Sequence, residues 1–286
     1  MSRGPDFRNR VLAQKTVWSA GAYDALSARF IEAAGFDALM TSGFGVSASF
    51  LGQPDAELYT MSENLTVVRN VVSAVNVPVI ADIDTGYGNA INVMRTIREF
   101  EASGVSAVIM EDQVAPKRCP ICVGGVEVIP MDEGVAKIQA AVEARRDPNM
   151  LIIARTDVVD PAAAMERGRA YVAAGADMIQ PISKCFKDID GLRAMREAVG
   201  VPLSLQLLGW LEKLSPDEVE EVAGMATYAL VPLMTVASAL KENLAALAER
   251  RSTSGLPRPV TDHNSFIDFI GFPQIEELQK RYLKTA

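Results

Sequence analysis

Histidine is almost absent: the chain of 286 residues carries one, His263. That count excludes a His-rich zinc site, a paired-His metalloprotease helix and a conventional Ser-His-Asp triad built around any other histidine. His263 itself lies in TDHNSF, a polar stretch that reads as the start of a carboxyl-terminal helix. Cysteine is nearly as scarce, with only Cys119, Cys122 and Cys185. An odd and sparse set cannot form a disulfide framework at this length and fits a reducing compartment. Basic clusters are missing too: 28 Lys and Arg stand against 36 Asp and Glu, for a net charge of −8. Phosphate neutralisation needs clustered cations, so a general nucleic-acid binder is not expected. No window approaches the roughly 18 uninterrupted apolar residues of a membrane span, and MSRGPDFRNR has no secretory apolar stretch. The expectation is a cytoplasmic protein without nucleic-acid or membrane partners.

What is present is an alternation. Strand-like runs at 17–20, 37–41, 78–83, 107–112, 151–156, 177–181, 202–207 and 228–232 are separated by stretches of helical spacing, such as DALSARFIEAAG and NAINVMRTIREFEASG. Three echoes, EAAGFDALM, EASGVSAVIM and AAGADMIQP, each end a helix at Gly35, Gly104 or Gly175 and start a strand two or three residues on. Eight β-then-α units predict a parallel sheet closed into a (β/α)8 TIM barrel, of class α/β. No GxGxxG or Walker-type loop follows any strand, which weighs against a nucleotide fold. The barrel domain is expected over 1–251, with a helical extension over 252–286 that begins as a Pro/Gly/Ser linker.

Barrel chemistry sits at the carboxyl ends of the strands. Tyr23 and Asp24 follow the first run, Ser42 and Gly43 the second, Asp82 and Asp84 the third, Glu111 and Asp112 the fourth, Arg155 and Asp157 the fifth. If the third strand persists, Asp82 and Asp84 project to one face. Two crowded carboxylates call for a cation, and Mg²⁺ holds one or two carboxylates while keeping waters, one of which Glu111 is placed to hold. The competing expectation is that some of these acids, Asp84 and Asp112 above all, cap the following helices. Arg155 ends an otherwise apolar run and is suited to a substrate carboxylate. Ser42-Gly43 offers backbone N–H groups to a carboxylate or oxyanion.

Residues 111–125, EDQVAPKRCPICVGG, open a connection of about 18 residues before a helix near Met131. Such a length in a compact barrel is expected of a mobile lid, over 113–125. It carries Lys117, Arg118, Cys119 and Cys122. A lone Cys-x-x-Cys without a second ligand pair makes a poor zinc site. A single cysteine whose proton affinity is lowered by Lys117 and Arg118 serves better as an acid or base. Tyr23 joins Cys119, Lys117 and Arg155 as a catalytic candidate, and Gln206 joins Ser42, Gly43 and Arg155 as a substrate-binding one.

GAYDALSARFIEAAGFDALMTSGFGVSASFLGQPD, PVIADIDTGYGNAINVMRTIREFE, EDQVAPKRC and IIARTD together resemble the isocitrate lyase and phosphoenolpyruvate mutase superfamily. The likeness is greatest to its short 2-methylisocitrate and 2,3-dimethylmalate lyase members and spans roughly 15–180. The resemblance implies a barrel whose carboxyl-terminal helices are exchanged between subunits of a homotetramer. It implies Asp82 as a direct Mg²⁺ ligand, with Asp84 and Glu111 in the water shell and Asp55 nearby. Ser42, Gly43 and Arg155 would hold a pyruvate-like enolate, which Cys119 would protonate.

The departures concern the other half of the site. Where the lyases continue KRC with Gly-His, this chain has Pro120-Ile121-Cys122, which leaves the choice between Cys119 and Cys122 open. A Pro-Glu pair after the sixth strand is here Pro181-Ile182. An Asn-x-x-Glu-Gly-type stretch after the seventh is Gln206-Leu207-Leu208-Gly209-Trp210. The leading expectation is an Mg²⁺-dependent carbon–carbon lyase acting on a small 2-hydroxy or 2-oxo dicarboxylate. The alternatives are oxaloacetate decarboxylation or phosphonopyruvate-type P–C chemistry on the same enolate platform, and a barrel that binds a carboxylate without turnover.

Overall fold

A computed structural model describes residues 4–119 and 125–283. Eight parallel strands, β1 (Val17–Ala22), β2 (Ala38–Thr41), β3 (Val79–Asp82), β4 (Ala107–Glu111), β5 (Leu151–Thr156), β6 (Met178–Pro181), β7 (Leu203–Gln206) and β8 (Ala223–Tyr228), close into a barrel in sequence order. The helices are α1 (Pro5–Leu12), α2 (Ala25–Ala33), α3 (Gly43–Val46), α4 (Met61–Ala74), α5 (Ala90–Ala102), α6 (Met131–Ala144), α7 (Pro161–Ala173), α8 (Ile189–Val199), α9 (Pro216–Val222), α10 (Val231–Arg250), α11 (His263–Ile270) and α12 (Phe272–Tyr282). Side-chain caps start most of the barrel helices: Asp24, Thr60, Asn89, Asp160, Asp188 and Ser215 each accept a backbone N–H of the first turn. Gly35, Gly104 and Gly175 take φ of 87°, 88° and 106°, as their helix-ending role requires.

Two apolar layers hold the barrel. Outside, Leu39, Val79, Ala81, Val108, Ile152 and Ile179 pack under the helices. Inside, Val17, Ala38, Ile80, Ile109, Leu151, Ile153, Met178 and Met225 form a second cluster that includes Phe7 and Val11 of α1. Each fully buried Ile or Leu contributes about 1.5–3 kcal/mol. Because side chains alternate along a strand, the residues two beyond Ile80, Ile109, Ile153 and Met178 are again inward. Those residues are Asp82, Glu111, Arg155 and Gln180. The interior is therefore apolar toward its amino-terminal end and ionic at its carboxyl-terminal mouth.

Two elements differ from the sequence expectation. The eighth strand runs over 223–228, starting five residues before the expected 228–232, whose Val231 and Pro232 instead open α10. Its AGMATY sequence is small because α1 lies against it: a Cβ on Gly224 would fall 2.5 Å from the Val11 carbonyl oxygen and 2.9 Å from the Pro202 side chain. Helix α1 itself has only the Phe7 and Val11 pair, one turn apart and fully buried, to mark it.

Chain contacts divide the protein into two compact units, 1–234 and 235–286. In the second, Arg258 pairs with Glu242 at 2.8 Å and its backbone N–H donates to Asn243, which ties the linker to α10. His263 is the first residue of α11 and is exposed, with Asp262 as the cap. Leu240, Leu244, Phe272, Ile275, Leu278 and Tyr282 are all exposed. Among the described residues no helix is long and apolar enough to cross a membrane.

Candidate active site

Register brings the inward residues of the mouth side by side. Glu111 of β4 is the partner of Arg155 in β5, and Arg155 is the partner of Gln180 in β6. The cavity above them encloses about 670 Å³, its open mouth included, and is lined by Ser42, Asp55, Asp82, Cys119, Arg155, Gln180 and Gln206. Gln180 Oε1 accepts from Ser204 Oγ at 2.9 Å and Gln206 Nε2 at 3.2 Å, a neutral ladder across β6 and β7.

The Lys117 ammonium reaches into a nest of carboxylates. Its Nζ lies 2.5 Å from Asp84 Oδ1, 3.0 Å from Asp55 Oδ1 and 3.9 Å from Glu111 Oε1. Burial alone would push the lysine's pKa down, but Asp84, Glu111, Asp82 and Asp55 outweigh it and hold it well above its usual value. Burial raises the carboxyl pKa of Asp82, against the pull of Lys117, and raises that of Glu111 well above the ordinary range, against Arg155 and Lys117. The Lys117 charge expected beside Cys119 is thus engaged with acids.

A magnesium ion suits this donor set. Among the described residues, Asp55 Oδ1, Asp84 Oδ1 and both Glu111 carboxylate oxygens are buried without a hydrogen bond and are compensated by ion pairs to Lys117 and Arg155. Among the described residues no three Asp, Glu, Cys or His side chains converge as direct ligands. Mg²⁺ needs only one or two carboxylates and completes its shell with water. Asp82 would hold it, with Asp84 and Glu111 acting through water.

The strand does not carry Asp84, as the same-face argument required. β3 ends at Asp82, and Asp84 turns into the left-handed region at φ 49°. A tight turn replaces the pleat: Asp84 N–H donates to Asp82 Oδ1 at 3.0 Å, and Tyr87 Oη donates to Asp84 Oδ2 at 3.0 Å. Gly43 closes this corner, its N–H donating to Asp82 Oδ2 at 3.2 Å. A Cβ there would lie 2.9 Å from Tyr59 Oη and 3.1 Å from Asp82. Ser42 Oγ caps α3, accepting from Gly45 N–H, while the Ser42 N–H donates to the Ala22 carbonyl.

Neither Asp84 nor Asp112 caps a helix. Asp112 accepts from Asp157 N–H at 2.9 Å, Tyr171 Oη at 2.9 Å and Arg167 at 3.1 Å. Asp157 in turn grips Arg155, whose Nε lies 3.0 Å and Nη2 2.9 Å from Asp157 Oδ1, while Nη1 reaches Glu111 Oε2 at 2.8 Å. Burial would lower the guanidinium's pKa, but Asp157, Glu111 and Asp82 raise it. Arg155 is therefore a fixed, fully charged edge of the cavity.

Of the remaining sequence candidates, Cys119 is buried and lines the cavity. Residues 120–124 lie outside the described residues, and Cys122 with them. Tyr23 is half-buried beside Gly45 and is not among the cavity-lining residues. Ile182 and Leu208 do line it, with Leu230 and Phe44. Trp210 does not: its indole N–H donates to the Ser183 carbonyl at 2.8 Å. Sequence reasoning missed Glu57, Tyr59, Gln113 and Gln180. Gln113 and Gln180 fall inside EDQVAPKRC and AAGADMIQP but carry no charge to single them out, and Glu57, Gln113 and Gln180 gain their places from partners distant in sequence.

An acid- and arginine-lined cavity at the carboxyl ends of eight parallel strands is where barrel enzymes carry their chemistry, and this chain is built as one. Residues 7–248 match the phosphoenolpyruvate phosphomutase family. The chain belongs to that family. It is 37% identical over 290 residues to a 2,3-dimethylmalate lyase of Eubacterium barkeri, covering 99% of each chain. It is 40% identical over 206 residues to an oxaloacetate decarboxylase of Chromohalobacter salexigens, covering 71% of this chain and 70% of the other. A phosphonopyruvate hydrolase solved with oxalate and Mg²⁺ matches with a TM-score of 0.89 at 30% identity, over 99% of this chain and 100% of that one.

Proposed function

We propose that this protein is an Mg²⁺-dependent carbon–carbon lyase that cleaves a small 2-hydroxy or 2-oxo dicarboxylate through a pyruvate-like enolate. The observation that carries the reading is the pairing, in one cavity, of a charged arginine edge with a carboxylate nest whose buried oxygens lack hydrogen bonds. Mg²⁺ held through Asp82, Asp84 and Glu111, with Asp55 alongside, would supply charge stabilisation at the enolate oxygen. Arg155, pinned by Asp157 and Glu111, orients the substrate carboxylate, and Ser42 and Gln206 border the space it enters. Lys117 neutralises the nest, and Cys119 returns a proton to the enolate carbon once the bond has broken.

The distal wall sets the substrate class. Ile182, Leu208 and Leu230 line the cavity together with Gln180 and Gln206. Burying the third carboxylate of a tricarboxylic acid there without charged donors would cost several kcal/mol. Alkyl-bearing malates and oxaloacetate-type acids are therefore the preferred substrates, and isocitrate and 2-methylisocitrate poor ones. The apolar wall also accommodates departure of neutral CO₂, so decarboxylation of oxaloacetate is the second reading.

The test is a panel of 2-hydroxy and 2-oxo di- and tricarboxylates with Mg²⁺, followed for pyruvate, glyoxylate and CO₂. Turnover of 2-methylisocitrate at a kcat/KM equal to or above every alkylmalate or oxaloacetate derivative overturns the pocket argument. Cys119→Ala separates the two chemistries, because a lyase that needs the thiol proton loses turnover and a decarboxylase keeps it. The exposed apolar residues of α10 and α12 support association of copies, as a homotetramer with exchanged carboxyl-terminal helices. A thiol acid and sparse cysteines support a cytoplasmic location.

A further inference from the structure

Two side chains seat the backbone immediately before Cys119, and neither belongs to the carboxylate nest. Glu57 Oε2 accepts the Lys117 N–H at 2.8 Å, while its Oε1 accepts from Thr85 Oγ1 at 2.7 Å. Gln113 Oε1 accepts the Arg118 N–H at 2.9 Å. Consecutive peptide N–H groups are thus gripped from two directions, one side chain 60 residues upstream and one at the root of the same connection. The root is itself fixed, since Gln113 bridges to Val128 in antiparallel fashion and Val114 N–H donates to the Glu127 carbonyl at 2.9 Å.

Both gripping groups are held in one orientation. Glu57 sits at φ 54°, a conformation costly for a residue with a Cβ and one that concentrates at functional positions. The Thr85 that anchors it is fully buried, and its carbonyl accepts from the buried Lys137 Nζ at 3.2 Å. For Gln113 the chemistry fixes the amide: an N–H can be met only by its oxygen, and the Asp157 carboxylate only by its NH₂, at 2.7 Å. Asp157 is the residue that pins Arg155. One buried amide therefore joins the seat of Cys119 to the seat of the anion-binding arginine.

We propose that Glu57 and Gln113 are positioning residues that latch the Lys117–Cys119 segment over the cavity, and that Gln113 ties this latch to Arg155. The proposal rests on the reading of Cys119 as the acid over that cavity. A proton donor displaced by about 1 Å costs roughly 10²-fold in rate. Removal of either grip should then lower kcat about that far while the Mg²⁺ affinity stays as it was. Loss of Gln113 should in addition weaken oxalate, because Arg155 loses its brace; loss of Glu57 should not.

The experiment uses Glu57→Ala and Gln113→Leu, which remove the accepting oxygens, in the full-length protein, with thermal melts to show that each is folded. Trypsin is timed at the Lys117–Arg118 and Arg118–Cys119 bonds without ligand, a readout that does not depend on what the enzyme turns over. The latch requires both variants to be cut there at least tenfold faster than wild type at similar melting temperature; cutting at the wild-type rate overturns it. Steady-state kinetics on the best acid of the panel and oxalate titration in Mg²⁺ follow. Faster cutting with unchanged kcat overturns the role of Cys119 in the proposed function, since the segment is then unseated without consequence. Faster cutting with a fall in kcat, and weaker oxalate in Gln113→Leu alone, is the expected result.

Discussion

Arg155→Lys preserves charge and removes geometry, which makes it the sharpest perturbation of the mouth. The guanidinium spans two carboxylates, with Nη1 2.8 Å from Glu111 and Nε and Nη2 at 3.0 and 2.9 Å from Asp157. One ammonium is a point charge and cannot serve both while also meeting a substrate carboxylate. Each charge-assisted hydrogen bond lost is worth about 1.5–3 kcal/mol. Losing a two-point grip on the reacting carboxylate then costs about 3–4 kcal/mol, or roughly 10²- to 10³-fold in kcat/KM. The side chains of Asp157 and Glu111 are 0% and 1% exposed, so a carboxylate left without its partner also destabilises the fold. The assay is kcat/KM on the best acid of the panel, together with oxalate affinity in Mg²⁺ and the melting temperature. A variant within threefold of wild type in kcat/KM, at unchanged melting temperature, would refute the assignment of Arg155 to the substrate carboxylate.

Burial raises the Glu111 carboxyl well above its unfolded value, only partly opposed by Arg155 and Lys117. The metal-free folded protein then binds more protons than the unfolded chain, so its stability falls as pH rises from the ordinary carboxylate range toward neutrality. Thermal melts in EDTA from pH 4.5 to 7 should show that slope, and Glu111→Gln should flatten it; an identical slope in the variant contradicts the cause. Gly224→Ala should destabilise by about 1–3 kcal/mol through overpacking against Val11 and Pro202. An unchanged denaturation midpoint would show that α1 does not lie tightly on β8.

The parts of the barrel that were legible in the sequence are those where local pattern and tertiary role coincide. PVIADI, AVIMED and LIIART alternate inward and outward so regularly that the pleat alone carries Asp82, Glu111 and Arg155 to the mouth. Where backbone conformation breaks the pattern, the argument fails even when the residue is right. Asp84 arrives by a left-handed turn, and β8 is built of residues small enough to admit α1. Glu57 and Gln113 were illegible for another reason. Their contacts, to Lys117 and to Asp157, span 60 and 44 residues and answer to no periodicity. Lys117 was marked as important for its neighbourhood to Cys119 in sequence, yet its Nζ turns to Asp84 and Asp55. A flexible side chain follows the charges it meets after folding.

The central claim is that the carboxylate nest and Arg155 form one Mg²⁺-dependent enolate platform. Oxalate, a planar mimic of that enolate, tests it by titration calorimetry in EDTA and in saturating Mg²⁺, on wild type and on Asp82→Ala. The account predicts that Mg²⁺ tightens oxalate at least a hundredfold in wild type and that the coupling disappears in Asp82→Ala. Equal oxalate affinity with and without the metal, or coupling that survives loss of Asp82, would contradict it.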